Sequence, residues 1–356
     1  MRVLIVKTSP LGDIVQALPV LDYLHQVSPG IEVDWAIEER YCDLLAANPL
    51  VAKLHPLRTR EWRKHPLAAR TRREMSAFRG ALRERRYDRV FDIQGDLTSG
   101  LVSWLTGADD RLGFGEDDVQ DRVNLFFTTR QVPLKRLEAH VTDQCLRLVS
   151  VPFARDYRSM TLHGVIPVAP EDDLTASALL STLGDGLVFL FQSGSSRRTR
   201  LWSDLRWEEL GRALLARFPD ATILLAWGTP AERDLVKGLA ERIGSGARVI
   251  DRYPLKGLAA LLKKVDLVVG GDTGPVQMAA AVGTPTVSLH RATDGRRCGP
   301  RGPLHAVVQA PLECSGCYRT TCSRDRECRE SISADMVLRG IEQILGKGEA
   351  NEIPAD

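Results

Sequence analysis

Residues 266–290 read DLVVGGDTGPVQMAAAVGTPTVSLH, which predicts a strand, a tight turn, a helix and a second strand. The first apolar run ends in Gly270 and Gly271, and residues 272–275 then open an alanine-rich helix. Asp or Thr caps a helix start well, and Pro suits its first turn. Free N–H groups and the dipole at such a start bind anions, so one interpretation is a diphosphate site. The other interpretation is a capped, buried helix without a ligand.

The sequence before this stretch repeats the same alternation. GLVFLFQSGS, ATILLAWG and ARVIDR are apolar runs, each followed by a helical pattern. This rhythm predicts a parallel sheet with helices on both faces. Ligands of open parallel sheets bind beyond the carboxyl ends of the strands, so binding residues are expected in the loops after these runs.

Two of those loops carry candidate ligand groups. QSGSSRRTRLW, residues 192–202, offers hydroxyls followed by Arg197, Arg198 and Arg200, which suit phosphate oxygens. A solvated basic loop is the alternative. LAWGTPAERDL, residues 225–235, places Glu232 in the first turn of a helix. Glu232 suits ribose hydroxyls there, but the sequence favours simple compensation of the helix dipole.

The first half of the chain has a similar rhythm. RVLIVK, EVDWAIEE, DRVFDIQG and RLGFG predict strands, with helices near 12–27, 39–47, 67–86, 97–106 and 137–150. In VKTSPLGDIVQALPVL, residues 6–21, Asp13 lies where a strand passes into a helix. It is either an acid that the helix dipole favours or a catalytic base on a rigid edge.

The predicted domain boundary lies near residue 165, inside a stretch that Pro and Gly interrupt. The expected domains are 1–165 and 166–335. Residues 336–356 are expected to form a C-terminal helix and tail. One interpretation is that this segment packs back on the N-terminal domain.

Composition narrows the class of protein. A chain of 356 residues predicts two domains, and 44% hydrophobic residues, 26% charged residues and a net charge of +2 describe a soluble globular protein. No apolar run is long enough for a membrane span, and the N-terminus lacks the features of a signal peptide, so a cytoplasmic enzyme is expected. No G-x-G-x-x-G follows the first strand, and no P-loop motif occurs, which argues against dinucleotide oxidoreductases and P-loop NTPases.

The positive charge is concentrated in one segment. Residues 58–89 contain twelve Arg or Lys and four Asp or Glu, with Trp62 among them. A solvated helix face is one interpretation, and a surface for an acidic substrate or an anionic membrane is the other. Nothing in the segment resembles a nucleic-acid-binding motif.

Five of the seven cysteines occur late in the chain. Cys314, Cys317, Cys322 and Cys328 have a spacing that allows four thiolates to bind a structural zinc ion. The spacing is irregular, so reduced free thiols are the alternative, and disulfides are disfavoured in a cytoplasmic protein.

Four motifs in order, MRVLIVKTSPLGDIVQALPVL, WRK at 62–64, DIQG at 92–95 and DTGPVQMAAAVGTPTVSL, resemble the bacterial lipopolysaccharide heptosyltransferases, nearest to their heptosyltransferase I branch. The resemblance implies the GT-B architecture, an α/β fold with two Rossmann-like parallel-sheet domains facing across a cleft. It implies an ADP-heptose donor bound by the C-terminal domain and a Kdo-lipid A acceptor bound by the N-terminal domain. It further implies transfer with inversion, no cofactor, and a cytoplasmic location at the inner leaflet of the inner membrane through peripheral contact.

Site residues follow from the resemblance position by position. Asp13 is implied as the general base that takes the proton of the acceptor hydroxyl. The implied acceptor contacts are Thr8, Ser9, Arg60, Arg63 and Arg122. The implied donor contacts are Ser195, Ser196, Arg200, Glu232, Asp272, Thr273, Gly274 and Gln277.

The chain departs from the family pattern at three places. Arg200 stands where the family often has Lys, Gln277 stands where D-T-G-x-x-H has His, and HRATDG at 290–295 replaces F-G-P-T-D-P. Two alternatives to heptose transfer from ADP-heptose therefore stay open. One is a glycosyltransferase of the same fold with another nucleotide sugar or core acceptor. The other is a degenerate protein that binds a nucleotide sugar without turnover.

Overall fold

The structure is a computed structural model that describes residues 1–135 and 137–350, the last four of these by their backbone alone. The chain divides into two compact units, Met1–Pro167 and Val168–Asp356, and the sequence boundary near residue 165 lies beside this division. Within the described ranges, every helix is too short or too polar to span a lipid bilayer.

The first unit is a parallel sheet with helices packed against it. Its strands are β1 (Arg2–Val6), β2 (Glu32–Glu38), β3 (Lys53–Leu57), β4 (Arg89–Asp92), β5 (Arg111–Phe114) and β6 (Arg130–Val132). Its helices are α1 (Leu11–Ala17), α2 (Pro19–Val27), α3 (Cys42–Leu45), α4 (Thr59–Lys64), α5 (Ala69–Glu84), α6 (Leu97–Leu105) and α7 (Val141–Ser150). The strand order is β3-β2-β1-β4-β5-β6, and neighbouring strands pair in parallel.

The central strand β1 is buried on both faces, because residues 3–6 have no exposed surface. Leu4 and Val6 pack with Phe78 and Leu82 of α5 on one face. Helices α1 and α2 pack against α7 elsewhere in the same unit. A continuous apolar run is the pattern that a doubly covered parallel strand requires, which is why RVLIVK identified β1.

The second unit has the same architecture. Its strands are β7 (Val188–Gln192), β8 (Thr222–Leu225), β9 (Ala247–Val249), β10 (Leu267–Gly271), β11 (Thr286–His290) and β12 (His305–Gln309). Its helices are α8 (Pro170–Leu180), α9 (Asp204–Arg217), α10 (Pro230–Ile243), α11 (Leu255–Lys264), α12 (Gly274–Ala281), α13 (Gly295–Cys298), α14 (Asp325–Glu330) and α15 (Ala334–Ala350). The strand order is β12-β11-β10-β7-β8-β9, again with parallel pairing.

The C-terminal helix α15 belongs to the core of the second unit. Its Val337, Ile341 and Ile344 are buried in the same cluster as Trp207 of α9, and α15 packs against α9, β11 and β12. The sequence analysis considered packing of residues 336–356 on the N-terminal domain. In the part of this segment up to residue 346, the apolar side chains lie in the second unit. Residues 351–356 lie outside the described residues.

The prediction of two parallel α/β units is confirmed, and the differences are local. The helix predicted near 12–27 is divided into α1 and α2, because Pro19 starts a new helix. The helix predicted near 67–86 corresponds to α5, and the shorter α4 precedes it. Strands β3, β6 and β12 were not predicted, because they are partly polar and form sheet edges.

Candidate active site

The first loop of the first unit brings two charged side chains together. Lys7 follows β1, and its ammonium donates to the Ile93 carbonyl at 3.2 Å. Lys7 Nζ lies 3.7 Å from Asp13 Oδ2, and the two side chains are 6% and 42% exposed. Asp13 lies in the first turn of α1, so the helix dipole and the buried ammonium both attract its carboxylate. The loop thus presents a half-exposed carboxylate held by a buried cation.

The backbone of this loop is fixed by its neighbours. The Thr8 carbonyl accepts from the Glu38 amide at 3.2 Å, and the Lys7 carbonyl accepts from Trp35 Nε1 at 3.0 Å. The Ser9 amide donates to Gln94 Oε1 in a long bond of 3.5 Å. Thr8, Ser9 and Asp13 therefore lie together at the carboxyl end of β1, where the sequence placed them.

The DIQG loop after β4 is organised by a buried acid. Asp92 Oδ1 accepts from the amides of Gln94 at 3.1 Å and Gly95 at 2.9 Å, and its Oδ2 accepts from Asn124 Nδ2 at 2.7 Å. Burial raises the pKa of Asp92 despite these hydrogen bonds. Asp92 shapes the loop from inside, and we assign it a structural role. Sequence reasoning did not single out Lys7, Asp92 or Asn124. The available signal for Lys7 and Asp92 was only that each is a polar residue at the end of an apolar run.

Arg60 and Arg63 are exposed on α4. Arg63 Nη2 donates to Thr98 Oγ1 at 2.7 Å, which places it beside the start of α6 after β4. Burial raises the pKa of Tyr41, while the charge of Arg60 and a hydrogen bond from the Leu11 backbone lower it. Arg122 is exposed between β5 and β6 and pairs with Glu116 at 3.2 Å.

In the second unit, an arginine and an acid meet across two loops. Arg200 Nη1 lies 3.0 Å from Asp272 Oδ2, and the side chains are 24% and 11% exposed. The same nitrogen donates to the Asp272 carbonyl at 3.1 Å. Ser195 Oγ accepts from the Arg197 amide at 3.3 Å, and Ser196 is exposed. The loops after β7 and β10 are thereby joined, as expected for neighbouring strands of a parallel sheet.

The start of α12 keeps the features of an anion site. Thr273 is its N-cap, but its side chain makes no capping bond. Thr273 Oγ1 is buried without a hydrogen-bond partner among the described residues. Since Gly274 begins the helix and Pro275 follows, the first turn has free N–H groups and no bulky side chain at its first position. Gln277 is buried and donates from Nε2 to the Cys298 carbonyl at 2.7 Å.

Glu232 takes part in capping helix α10 and also lies against Gly194 in the loop after β7. It forms a capping box with Thr229, and its Oε2 accepts from the amides of Gly228 at 2.8 Å and Thr229 at 3.0 Å. A Cβ at Gly194 would lie 2.5 Å from Glu232 Oε1, so glycine is required where the two loops meet. Glu232 therefore has a structural role in the capping box, and a ribose contact stays a prediction.

The late cysteines form no disulfide. Among the described residues, three or more metal-ligand side chains with ligand atoms within 4.8 Å of one another occur at Asp272, His290 and Cys298. Cys314, Cys317, Cys322 and Cys328 are not part of this group. Zinc at the four late cysteines stays a prediction.

Two Rossmann-like parallel sheets, one in each unit, give the chain the fold of the GT-B class of glycosyltransferases. The chain belongs to glycosyltransferase family 9 (heptosyltransferase), which matches residues 75–327. It is therefore a glycosyltransferase.

Relatives and solved structures agree with this assignment. Lipopolysaccharide heptosyltransferase 1 of Pseudomonas aeruginosa is 31% identical over 324 residues, covering 91% of this chain and 88% of the relative. The enzyme of the same name from Escherichia coli (strain K12) is 32% identical over 321 residues, covering 88% and 95%. The structure of E. coli heptosyltransferase WaaC with ADP has a TM-score of 0.79 at 27% identity, covering 97% of this chain and all 100% of WaaC. WaaC with ADP-2-deoxy-2-fluoro heptose has a TM-score of 0.77 at 28% identity, covering 96% and 99%.

Proposed function

We propose that this chain transfers heptose from ADP-L-glycero-D-manno-heptose to Kdo of the lipid A inner core, with inversion, in lipopolysaccharide biosynthesis. The observation that carries the proposal is the Lys7–Asp13 pair, with Nζ 3.7 Å from Oδ2, in a chain of the heptosyltransferase family. The similarity to WaaC, which was solved with ADP and with an ADP-heptose analogue, supports an ADP-sugar donor.

The first unit would bind the acceptor and supply the base. Asp13 Oδ takes the proton of the attacking Kdo hydroxyl, and that oxygen then bonds to the anomeric carbon of the heptose. Lys7 fixes the carboxylate, and Thr8 and Ser9 lie beside it. The acceptor is acidic, so the exposed cations on α4 and Arg122 suit its carboxylate and phosphate groups.

The second unit would bind ADP-heptose and stabilise the leaving group. As the bond between the anomeric carbon and the β-phosphate oxygen breaks, negative charge develops on ADP. Arg200, the hydroxyls of Ser195 and Ser196, and the α12 start at Thr273 and Gly274 are the groups that suit this charge. Because these groups supply positive charge, the proposed reaction needs no cofactor. Glu232, Asp272 and Gln277 are the further donor contacts of the proposal.

We also propose peripheral contact with the anionic inner leaflet, where a Kdo-lipid A acceptor would lie. Helix α5 carries Arg72, Met75, Arg79 and Arg83 at spacings of three and four residues, which places them along one stripe of the helix. All four side chains are exposed, and we call them the α5 stripe. Basic residues attract anionic lipid surfaces by about 1 kcal/mol each. This supports a cytoplasmic enzyme that works at the membrane surface.

The transfer reaction itself tests the proposal. Purified full-length chain is incubated with ADP-heptose and Kdo-lipid A, and ADP release is followed together with the mass of the acceptor. We expect one ADP for each heptose added. Release of ADP without an acceptor mass change contradicts transfer, and tighter binding of a UDP-sugar than of ADP-heptose favours the alternative donor. Activity that appears only after Gln277→His identifies the wild-type chain as a degenerate binding protein.

A further inference from the structure

Three side chains of metal-binding type meet at the carboxyl edge of the second sheet. Asp272 follows β10, His290 ends β11 and Cys298 ends α13. A carboxylate oxygen, a ring nitrogen and the thiol sulfur lie within 4.8 Å of one another. His290 has no exposed surface, and Asp272 is buried. Oxygen, nitrogen and sulfur ligands together form a set that Zn²⁺ accepts.

Hydrogen bonds assign the tautomer of His290. Ser288 Oγ donates to the Ala306 carbonyl at 3.3 Å, so it accepts from His290 Nε2 at 3.1 Å. Thr293 Oγ1 lies 3.2 Å from Nδ1 and donates to it. A neutral imidazole with one N–H fixed by an outer acceptor, and a lone pair on the other nitrogen, is the form that binds metals in proteins.

The thiol is also held in place. Cys298 Sγ donates to the Asp294 carbonyl at 3.2 Å, and the Cys298 carbonyl accepts from Gln277 Nε2 at 2.7 Å. A divalent ion would displace the thiol proton to solvent and bind the thiolate. The Asp272 carboxylate also pairs with Arg200, whose Nη1 lies 3.0 Å from Oδ2.

We propose that Asp272, His290 Nδ1 and Cys298 Sγ form a binding site for a zinc-type divalent ion. The three protein ligands leave a fourth, open position, as in zinc sites that exchange a water or a phosphate oxygen. The inference goes beyond glycosyl transfer, and it rests on the proposed function only in placing donor phosphate near Asp272. The test measures metal binding, so a negative result in the transfer reaction does not contradict the proposed metal site.

Cobalt spectroscopy on the full-length chain tests the site. Chelator-stripped protein is titrated with Co²⁺, and the thiolate-to-cobalt charge-transfer band and the tetrahedral d–d bands are recorded. We expect saturation at one equivalent and displacement of Co²⁺ by Zn²⁺. The Cys298→Ser variant should lose the charge-transfer band and weaken Zn²⁺ binding by more than about tenfold. Far-UV circular dichroism checks that this variant is folded.

Two further variants separate this site from its rivals. Cys314→Ser/Cys317→Ser removes two exposed late cysteines and should keep the band. Thr293→Val removes the hydroxyl that shares Nδ1, so it should bind Co²⁺ at least as tightly as the wild type. A band that survives Cys298→Ser and is lost in Cys314→Ser/Cys317→Ser places the metal at the late cysteines and overturns the proposal. The absence of any cobalt band in folded wild-type protein overturns it as well.

Discussion

The two units share one topology, but their central loops carry opposite charge arrangements. Each sheet places its first strand beside its fourth, β1 beside β4 and β7 beside β10, which is the Rossmann switch point. In the first unit the 42% exposed acid Asp13 is held by the 6% exposed cation Lys7. In the second unit the 24% exposed cation Arg200 is held by the 11% exposed acid Asp272. The outward charge is therefore negative in one unit and positive in the other.

Under the proposed function, this reversal lets one fold serve two kinds of chemistry. A proton acceptor needs a carboxylate that reaches solvent, and phosphate binding needs a guanidinium that does so. The less exposed partner in each pair holds the outward group. Under the proposed function, the first unit removes a proton and the second receives the charge of the leaving group.

Neutralising the outward acid should have the largest effect on transfer. We expect Asp13→Asn to lower kcat by about 10²–10⁴-fold, because the amide cannot accept the proton of the attacking hydroxyl. ADP affinity should stay near the wild-type value, and both quantities are measured by ADP release and by calorimetry. Asp204→Asn is the matched control, since Asp204 is also an exposed acid in the first turn of a helix. Full activity of Asp13→Asn would remove Asp13 from the role of base.

Neutralising the outward cation should have the next largest effect, on donor binding. Arg200→Met removes charge-assisted hydrogen bonds of about 1.5–3 kcal/mol, so we expect ADP to bind about 10- to 150-fold more weakly. Arg200→Lys keeps the charge and loses the fork geometry, so its loss should be smaller. Calorimetric titration with ADP measures both variants. Equal losses in the two variants would show that geometry, not charge, sets the affinity.

Much of the fold could be predicted from the sequence, because doubly covered parallel strands are continuous apolar runs. β1, β7 and β10 were found in this way. The edge strand β3 was missed, since KLHPL contains a charge, a His and a Pro and faces solvent along one side. The division into α1 and α2 was missed because Pro19 continues the apolar pattern while starting a new helix.

The candidate site was predictable as a set of loops but not as a set of pairs. Polar residues after apolar runs marked Asp13, Arg200 and Asp272. Their partners depend on strand order, which brings Lys7 of one loop to Ile93 of another and Arg200 to Asp272. Asp272, His290 and Cys298 come from three separate segments, so the spacing of these residues in the sequence does not predict the group.

The outer surface extends the comparison with a smaller effect. In α9, the exposed Arg212 pairs with Glu208 at 3.1 Å and the exposed Arg217 lies 3.8 Å from Glu342, whereas Arg72 and Arg79 of the α5 stripe form no ion pair within the described ranges. Arg72→Ser/Arg79→Ser should weaken binding to phosphatidylglycerol vesicles by about 1 kcal/mol for each charge at low salt. Arg212→Ser/Arg217→Ser is the control in the other unit and should bind normally. Equal sedimentation of both variants with the vesicles would exclude the α5 stripe as the contact.

A third acid–cation group, in the first unit, is centred on a fully buried acid. Asp34 of β2 has no exposed surface and accepts from Arg85 Nε at 2.7 Å, the Tyr87 hydroxyl at 2.7 Å and His55 Nε2 at 3.1 Å. Burial raises the pKa of Asp34, but these hydrogen bonds outweigh it and lower the pKa to about 2. Because its acid has no exposed surface, this group should affect stability and leave transfer at neutral pH unchanged.

Acid unfolding tests that distinction. Because the folded pKa of Asp34 lies below its unfolded value of 3.8, its stabilisation is present above that value and is lost as pH falls towards 2. The shift corresponds to about 2 kcal/mol in the free energy of unfolding, measured by urea denaturation between pH 7 and pH 2. Asp34→Asn should be less stable by about that amount at pH 7 and should lose this part of the pH dependence. Asp204→Asn, which removes an exposed acid, should retain this part of the pH dependence. A pH dependence that is the same in wild type and Asp34→Asn would show that another acid, and not this buried group, governs acid stability.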